Sequence, residues 1–335
     1  MSRLIGRALR VVSYTVIAVV VLWSVAAVWI DGPKSRIPAA SLCVVVAVAA
    51  LLVLLLVRPW WWGGVAALVP FVIVLGWWLS LAPSNTRNWQ PDVARLASAE
   101  IDGNRVVIRN VRNFSYPLST TVVERWEKRT FDLDQVVGFD MFLSSWGAPG
   151  IAHTISSWEF ADGQHLAISI ETRKEKGEEY SALLGFFRQF ELYYVVADER
   201  DVIGVRAGPR QETVHLYRIK GTPAFARALL LDYLREVNRL AQTPMWYNAL
   251  THNCTTMIRH HVQQISPGNP LDWRILANGY LDELGYQRRR INTSLPFAEL
   301  RRRSDITARA RAAGDRDDFS VFIREGLPER PVATR

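Results

Sequence analysis

Three charge-free apolar runs fill most of the first 83 residues, and they dictate where this part of the chain can reside. Runs 11–30, 38–57 and 60–81 each hold about 20 residues without Asp, Glu, Lys or Arg. At about 1.5 Å per residue, each reaches across a hydrocarbon core of roughly 30 Å. A charge at the centre of such a helix would cost about 3 kcal/mol, so three runs without one predict three membrane spans. A cleaved signal peptide does not fit: the first apolar run is too long, and two more follow. Cys43 does not read as a lipoprotein attachment site, because Leu42 stands where a small residue is needed. It reads as a lipid-facing or helix-packing residue.

Arg3, Arg7 and Arg10 precede the first run, while the next two loops hold Lys34, Arg36 and Arg58. The bias of basic residues places the N-terminus in the cytoplasm, and three spans carry residue 84 onward to the far side. The 58–64 turn, with its three tryptophans, reads as an interfacial anchor, as do Trp77 and Trp78. No ionisable residue lies mid-span, so these segments read as an anchor rather than a transport path.

Beyond residue 83 the composition turns globular. The net charge of +8 is unevenly placed: residues 288–335 carry twelve Lys/Arg against seven Asp/Glu, and residues 84–287 carry twenty-two against twenty-four. A nucleic-acid reader concentrates basic charge on its folded domain, so this distribution argues against nucleic-acid binding. Two cysteines exclude a disulfide-dense scaffold, and no Cys/His cluster has zinc spacing. No cofactor or metal is expected. Strands are expected at 105–112, 135–143 and 214–219, a hairpin at 151–160 and 165–172, and helices at 180–192, 222–241 and 254–264. Short helical pieces are expected at 297–303 and 319–324. Strands and helices mix without regular alternation, which predicts an α+β fold with an antiparallel sheet. The expected division is a membrane anchor over 1–83, a thiol-enzyme-like domain over 84–290 and a basic extension over 291–335.

That domain holds one cysteine. On the far side of a bacterial membrane the milieu is oxidising, and a lone thiol there is a liability unless it is used. Asn253 is a good N-cap, which puts Cys254 in the first turn of a helix, where the dipole and free N–H groups lower a thiol pKa and bind an oxyanion. A buried structural cysteine is the bland alternative. His260 and His261 lie too far along the same helix to reach the thiol, and His153, on the first hairpin strand, is the expected base. Ala161-Asp162-Gly163 suits a three-residue loop with Gly163 left-handed, and the register that follows pairs His153 with Glu171 on one face. Trp158, Phe160, Leu166, Ile168 and Ile170 then share the other. Glu171 is placed to orient the imidazole, although an ordinary surface carboxylate reads equally well.

The run Tyr247-Asn248-Ala249-Leu250-Thr251-His252-Asn253-Cys254-Thr255-Thr256, together with Ile151-Ala152-His153-Thr154-Ile155 and the segment 169–176, resembles the bacterial family named for the periplasmic N-terminal domain of the lipoprotein N-acyltransferase Lnb. The resemblance covers about residues 84–290. More distantly, the order of His and then Asn-Cys at a helix start is similar to circularly permuted NlpC/P60 enzymes and lecithin:retinol acyltransferase, which implies a papain-like domain with Cys254 as nucleophile and His153 as base. The resemblance implies a Cys-His acyltransferase or lipid-acting hydrolase in the bacterial inner membrane, with a phospholipid or lipoprotein substrate. A thiol peptidase or amidase and a non-catalytic binding domain stay open. Asn253 and Thr255 beside the thiol, and Phe187 and Phe190 as walls of an acyl groove, are the expected substrate-binding residues; a fully buried 180–192 segment is the competing reading.

Overall fold

The computed structural model describes residues 2–56, 62, 65–66, 68–117 and 121–332. It divides into two compact units, 1–83 with 181–190, and 84–180 with 191–335.

The first unit is helical. Helices α1 (Ser2–Asp31), α2 (Arg36–Leu56) and α3 (Leu68–Ser80) follow the apolar runs. Two of them, not the expected three, are long and apolar enough to cross a membrane. The third expected span is helical over Leu68–Ser80, and at 1.5 Å per residue that stretch measures about 20 Å. Residues 57–61, 63–64 and 67, which include most of the expected aromatic anchor, lie outside the described residues. Trp78 donates its indole N–H to Asp31 at the end of α1 (2.7 Å) and meets Trp23 edge-on. Cys43 packs between helices and donates to the Val25 carbonyl (3.5 Å).

Residues 181–190 belong to this unit, and here the expected helix over 180–192 fails. The chain makes one 3₁₀ turn (Leu184–Phe186), then enters a strand at Glu191. The run is apolar without a helical stripe, and the aromatic and β-branched sequence Tyr193-Tyr194-Val195-Val196 suits a strand buried on both faces. Phe187 packs against Ala27, Val28 and Val74, and Phe190 is fully buried. Leu183 and Phe186 are exposed.

The second unit is built on an eight-stranded sheet. Its strands are β1 (Ser98–Asp102), β2 (Arg105–Arg112), β3 (Trp126–Asp132), β4 (Val136–Ser145), β5 (Ala152–Phe160), β6 (His165–Arg173), β7 (Glu191–Ala197) and β8 (Thr213–Arg218). They run in the order β1-β2-β7-β6-β5-β4-β8, with β3 on β2. The sheet is mixed rather than antiparallel throughout, because β2 meets β7 in parallel at Arg112 and Ala197. Between β5 and β6, Gly163 takes a left-handed φ of +85° and the ladder has the register expected from the turn, Glu159 with His165 through Ile155 with Ser169.

Helices α4 (Glu199–Ala207), α5 (Pro223–Gln242), α6 (Cys254–Ile265) and α7 (Leu281–Gln287) precede three short ones, α8 (Phe297–Ser304), α9 (Thr307–Ala313) and α10 (Phe319–Phe322). On one sheet face, Phe142, Ile155, Tyr193 and Val195 bury against Val202 and Ile203 of α4 and against Ile306, Ala310, Phe319 and Ile323. On the other, Trp158 packs edge-on against Tyr233 of α5 and donates its indole N–H to Ala226. Residues 291–332 are therefore not a separate basic extension. Their apolar positions complete the core, and Arg324 reaches the buried carboxylates of Asp140 and Glu199.

Candidate active site

The helix start that carries Cys254 is held by its own cap. The Asn253 side chain accepts from the N–H groups of Thr255 and Thr256 (both 2.9 Å), and the Thr256 hydroxyl accepts from the Asn253 N–H (2.9 Å). The Asn253 amide donates to Ala249 (2.7 Å). All its polar groups are thus spent on the turn, and Asn253 fixes the start of the helix that carries Cys254. Cys254 occupies the first helical position, where its own N–H has no intrahelical acceptor.

The sheet makes room for that helix start. The β5–β6 ladder closes at Ile155 and Ser169, although β5 begins at Ala152 and β6 runs on to Arg173. The strands part there, and α6 contacts both. Thr154 lies at this opening, and its N–H helps to hold the Cys254 thiol low.

His153 stands at the same opening, 8% exposed beside a thiol that is 7% exposed. Its Nε2 lies 2.7 Å from the Ser169 hydroxyl and 3.2 Å from Glu171. Ser169 gives its one proton to Glu171 (2.7 Å). It therefore accepts from Nε2–H, which leaves Nδ1 for the thiol. Arg206 of α4 donates to the same Glu171 oxygen (2.7 Å) and to Glu212 (3.1 Å), which also accepts from Ser144 (2.5 Å). The result is a buried relay from thiol through imidazole and hydroxyl to a carboxylate clamped by a guanidinium.

The electrostatics follow from these contacts. Burial disfavours the imidazolium, but Glu171 and the neighbouring thiolate outweigh it and push His153 up to about 9. Burial also disfavours the thiolate, yet His153, the Thr154 N–H and the Thr255 hydroxyl bring Cys254 down to about 7. Glu171 is held well below the usual carboxylate range, against its burial, by His153 and Arg206. Between about pH 7 and 9 the pair therefore stands as thiolate and imidazolium.

On the other side of the sulfur, Asn278 donates to the Thr255 hydroxyl (3.0 Å) and lies 3.6 Å from Sγ. Its carbonyl oxygen accepts from the Ala152 N–H (2.8 Å), which fixes the amide so that its NH2 faces the thiol. The Tyr247 hydroxyl bonds to Tyr180, and burial beside Cys254 and Glu171 keeps the Tyr247 phenol protonated.

Cys254, His153 and Glu171 are thus brought together, with Thr255 against the sulfur. Phe187 and Phe190 belong to the first unit. Phe187 packs among helices of the first unit, and Phe190 is buried without exposed surface. Sequence reasoning did not single out Ser169, Arg206, Asn278, Tyr247 or Tyr180. Ser169 was within reach of it, since the expected hairpin register puts Ser169 and Glu171 on the face of His153. Arg206 and Asn278 come from segments without a helical or strand period that would have placed them.

The site is a buried thiol–imidazole–carboxylate array at the parting of two strands in an α+β domain. Residues 123–279, which contain all of it, match the family described as the Lnb N-terminal periplasmic domain. No curated protein and no solved structure matches the chain. The family and the apolar N-terminal helices together fit a membrane protein with a periplasmic domain.

Proposed function

We propose that this protein is a membrane-anchored cysteine acyltransferase of the bacterial inner membrane that moves a fatty-acyl group from a phospholipid to an amine through a thioester on Cys254. The observation that carries the reading is the thiol itself, drawn toward neutral pKa by a histidine whose far nitrogen is tied to Ser169 and Glu171. The thiolate attacks the ester carbonyl, and a carbon–sulfur bond forms as the carbonyl oxygen takes negative charge. Asn278 Nδ2 and the Cys254 N–H face that oxygen. Collapse breaks the ester carbon–oxygen bond, and His153 gives its proton to the departing alkoxide. The incoming amine then attacks the thioester, His153 takes the amine proton, and the thiolate leaves. Water in place of the amine would make the same site a lipid hydrolase.

A mixture of phosphatidylethanolamine vesicles, a diacylated lipopeptide with a free N-terminus and the detergent-solubilised protein tests this. Wild type should add one acyl chain to the peptide, and Cys254→Ser should add none while keeping its melting temperature. Cleavage of the peptide without acyl gain would favour the peptidase reading instead. Acyl transfer undiminished in Cys254→Ser would remove Cys254 from the chemistry, and no acyl gain by either protein would leave the binding-domain reading.

The reading also requires the domain to face the periplasm. With the arginine-rich N-terminus in the cytoplasm, that takes an odd number of crossings, so the segment containing Leu68–Ser80 would supply the third. A periplasm-dependent phosphatase fused after residue 335 should be active. Activity only of a cytoplasmic reporter at that position would overturn the placement.

A further inference from the structure

Alongside α6 runs a cavity of about 590 Å3 that Cys254, His153 and Glu171 do not line, a size typical of sites for small organic ligands. One stripe of the helix forms its wall: Thr255, Ile258, Arg259, Val262 and Ser266. Eleven residues of rise make that stripe about 16 Å long. It begins at Thr255, whose hydroxyl lies 3.6 Å from the Cys254 sulfur. Phe139 and Met141 of β4, Phe225 of α5 and Leu284 of α7 close the other sides.

The charged residues around this apolar space are all of one sign. Lys220, Arg259, Arg288, Arg289 and Arg290 line it, and among the described residues no Asp or Glu does. Arg259 spends its terminal nitrogens on Gln263 (2.7 Å) and the Asn269 carbonyl (3.2 Å), and its buried Nε has no partner among the described residues. Arg289 and Arg290 are exposed and, like Lys220, make no ion pair among the described residues. Arg288 is paired with Asp272 (3.8 Å), but the other four cations at this apolar slot have no acid against them among the described residues, and such a set complements a ligand with a long hydrocarbon and an anionic head.

We infer that this cavity holds one acyl chain of an anionic phospholipid, with its phosphate on the Lys220–Arg259–Arg288–Arg289–Arg290 cluster and its ester at the Thr255 end. The inference rests on the acyl-transfer reading for its purpose, and three of the five cations lie beyond the 123–279 segment shared with the family. The site is therefore a property of this chain and not one carried by the match.

A phosphatidylglycerol with a diazirine at the end of one acyl chain tests it, added to the full chain in neutral detergent. Irradiation should label peptides covering 258–266 and 281–291. A diacylglycerol with the same chain should label them far less, and inorganic phosphate alone should not displace the lipid. Arg289→Glu with Arg290→Glu should weaken labelling on the order of tenfold or more, since each cation facing an anionic lipid contributes about 1 kcal/mol. Ile258→Trp should block the slot at an unchanged melting temperature, and Arg105→Glu, on the exposed start of β2, should change nothing. Labels confined to the apolar helices, equal labelling by diacylglycerol, or wild-type labelling of both the Ile258→Trp and the double variant would overturn the site. The two readings fail separately. Cavity labelling without acylation of Cys254 keeps the site and removes the chemistry. Full acylation of Cys254 in Ile258→Trp keeps the chemistry and removes the site.

Discussion

Replacing His153 with Ala should move the ionisation of Cys254 from about pH 7 to above about 8.5, the ordinary thiol value, because His153 outranks the Thr154 N–H and the Thr255 hydroxyl in holding the thiol low, and burial, the largest influence, opposes the thiolate. At pH 7 the thiolate fraction should fall from about half to about 3% or less. Ultraviolet absorbance of the thiolate reads this directly, in a Cys43→Ser background that leaves one thiol. The sign follows from both partners. A thiol held low is ionised above about pH 7, and an imidazolium held high persists to about pH 9, so the reactive pair exists between them. Loss of His153 removes the lower limb. A midpoint that stays near 7 would mean that the helix start alone sets the thiol, and that the imidazole is a bystander.

Arg324→Ala should be the most damaging single change to stability away from the site. Arg324 bonds Asp140 (2.9 Å) and both oxygens of Glu199 (2.7 Å each), and neither carboxylate has any exposed surface. Asp140 keeps Arg218 and Arg330, but Glu199 is left with the Ser157 hydroxyl. Breaking a buried pair this way costs about 3–5 kcal/mol. For a domain of this size the melting temperature should fall by roughly 6–20 °C. Glu199 is held near 2, against its burial, chiefly by Arg324. Its contribution is therefore present above the ordinary carboxylate range and lost as pH falls toward 2, so the gap between wild type and variant should narrow in acid. An unchanged melting curve at neutral pH would contradict this account of how the C-terminal segment is held.

What the sequence disclosed was local and periodic. Ala161-Asp162-Gly163 set the β5–β6 register, and that register placed His153, Glu171 and the Trp158–Ile170 core set on their faces. Asn253 marked the start of α6, because its cap is made by neighbours in the chain. What stayed hidden depends on distant partners. The 180–192 run was apolar enough for a helix, and only the sheet edge offered by β6 makes its end a strand. The 291–332 segment looked like a solvated basic tail because its apolar residues are spaced out among arginines. Ile306, Phe319 and Ile323 find their places only against α4 and β8, and Arg324 only against carboxylates from β4 and α4. Arg206 was invisible for the same reason: its partners Glu171 and Glu212 come from different strands and loops.

The central claim is that Cys254 carries an acyl group during turnover, and intact mass measures it most directly. Wild-type protein held with phosphatidylethanolamine vesicles and no acceptor should gain the mass of one fatty-acyl chain. Hydroxylamine at neutral pH should remove it, as it does a thioester, and the modified peptide should contain Cys254. A wild-type protein that gains no acyl mass, or a Cys254→Ser protein that gains the same hydroxylamine-sensitive adduct, would contradict the account.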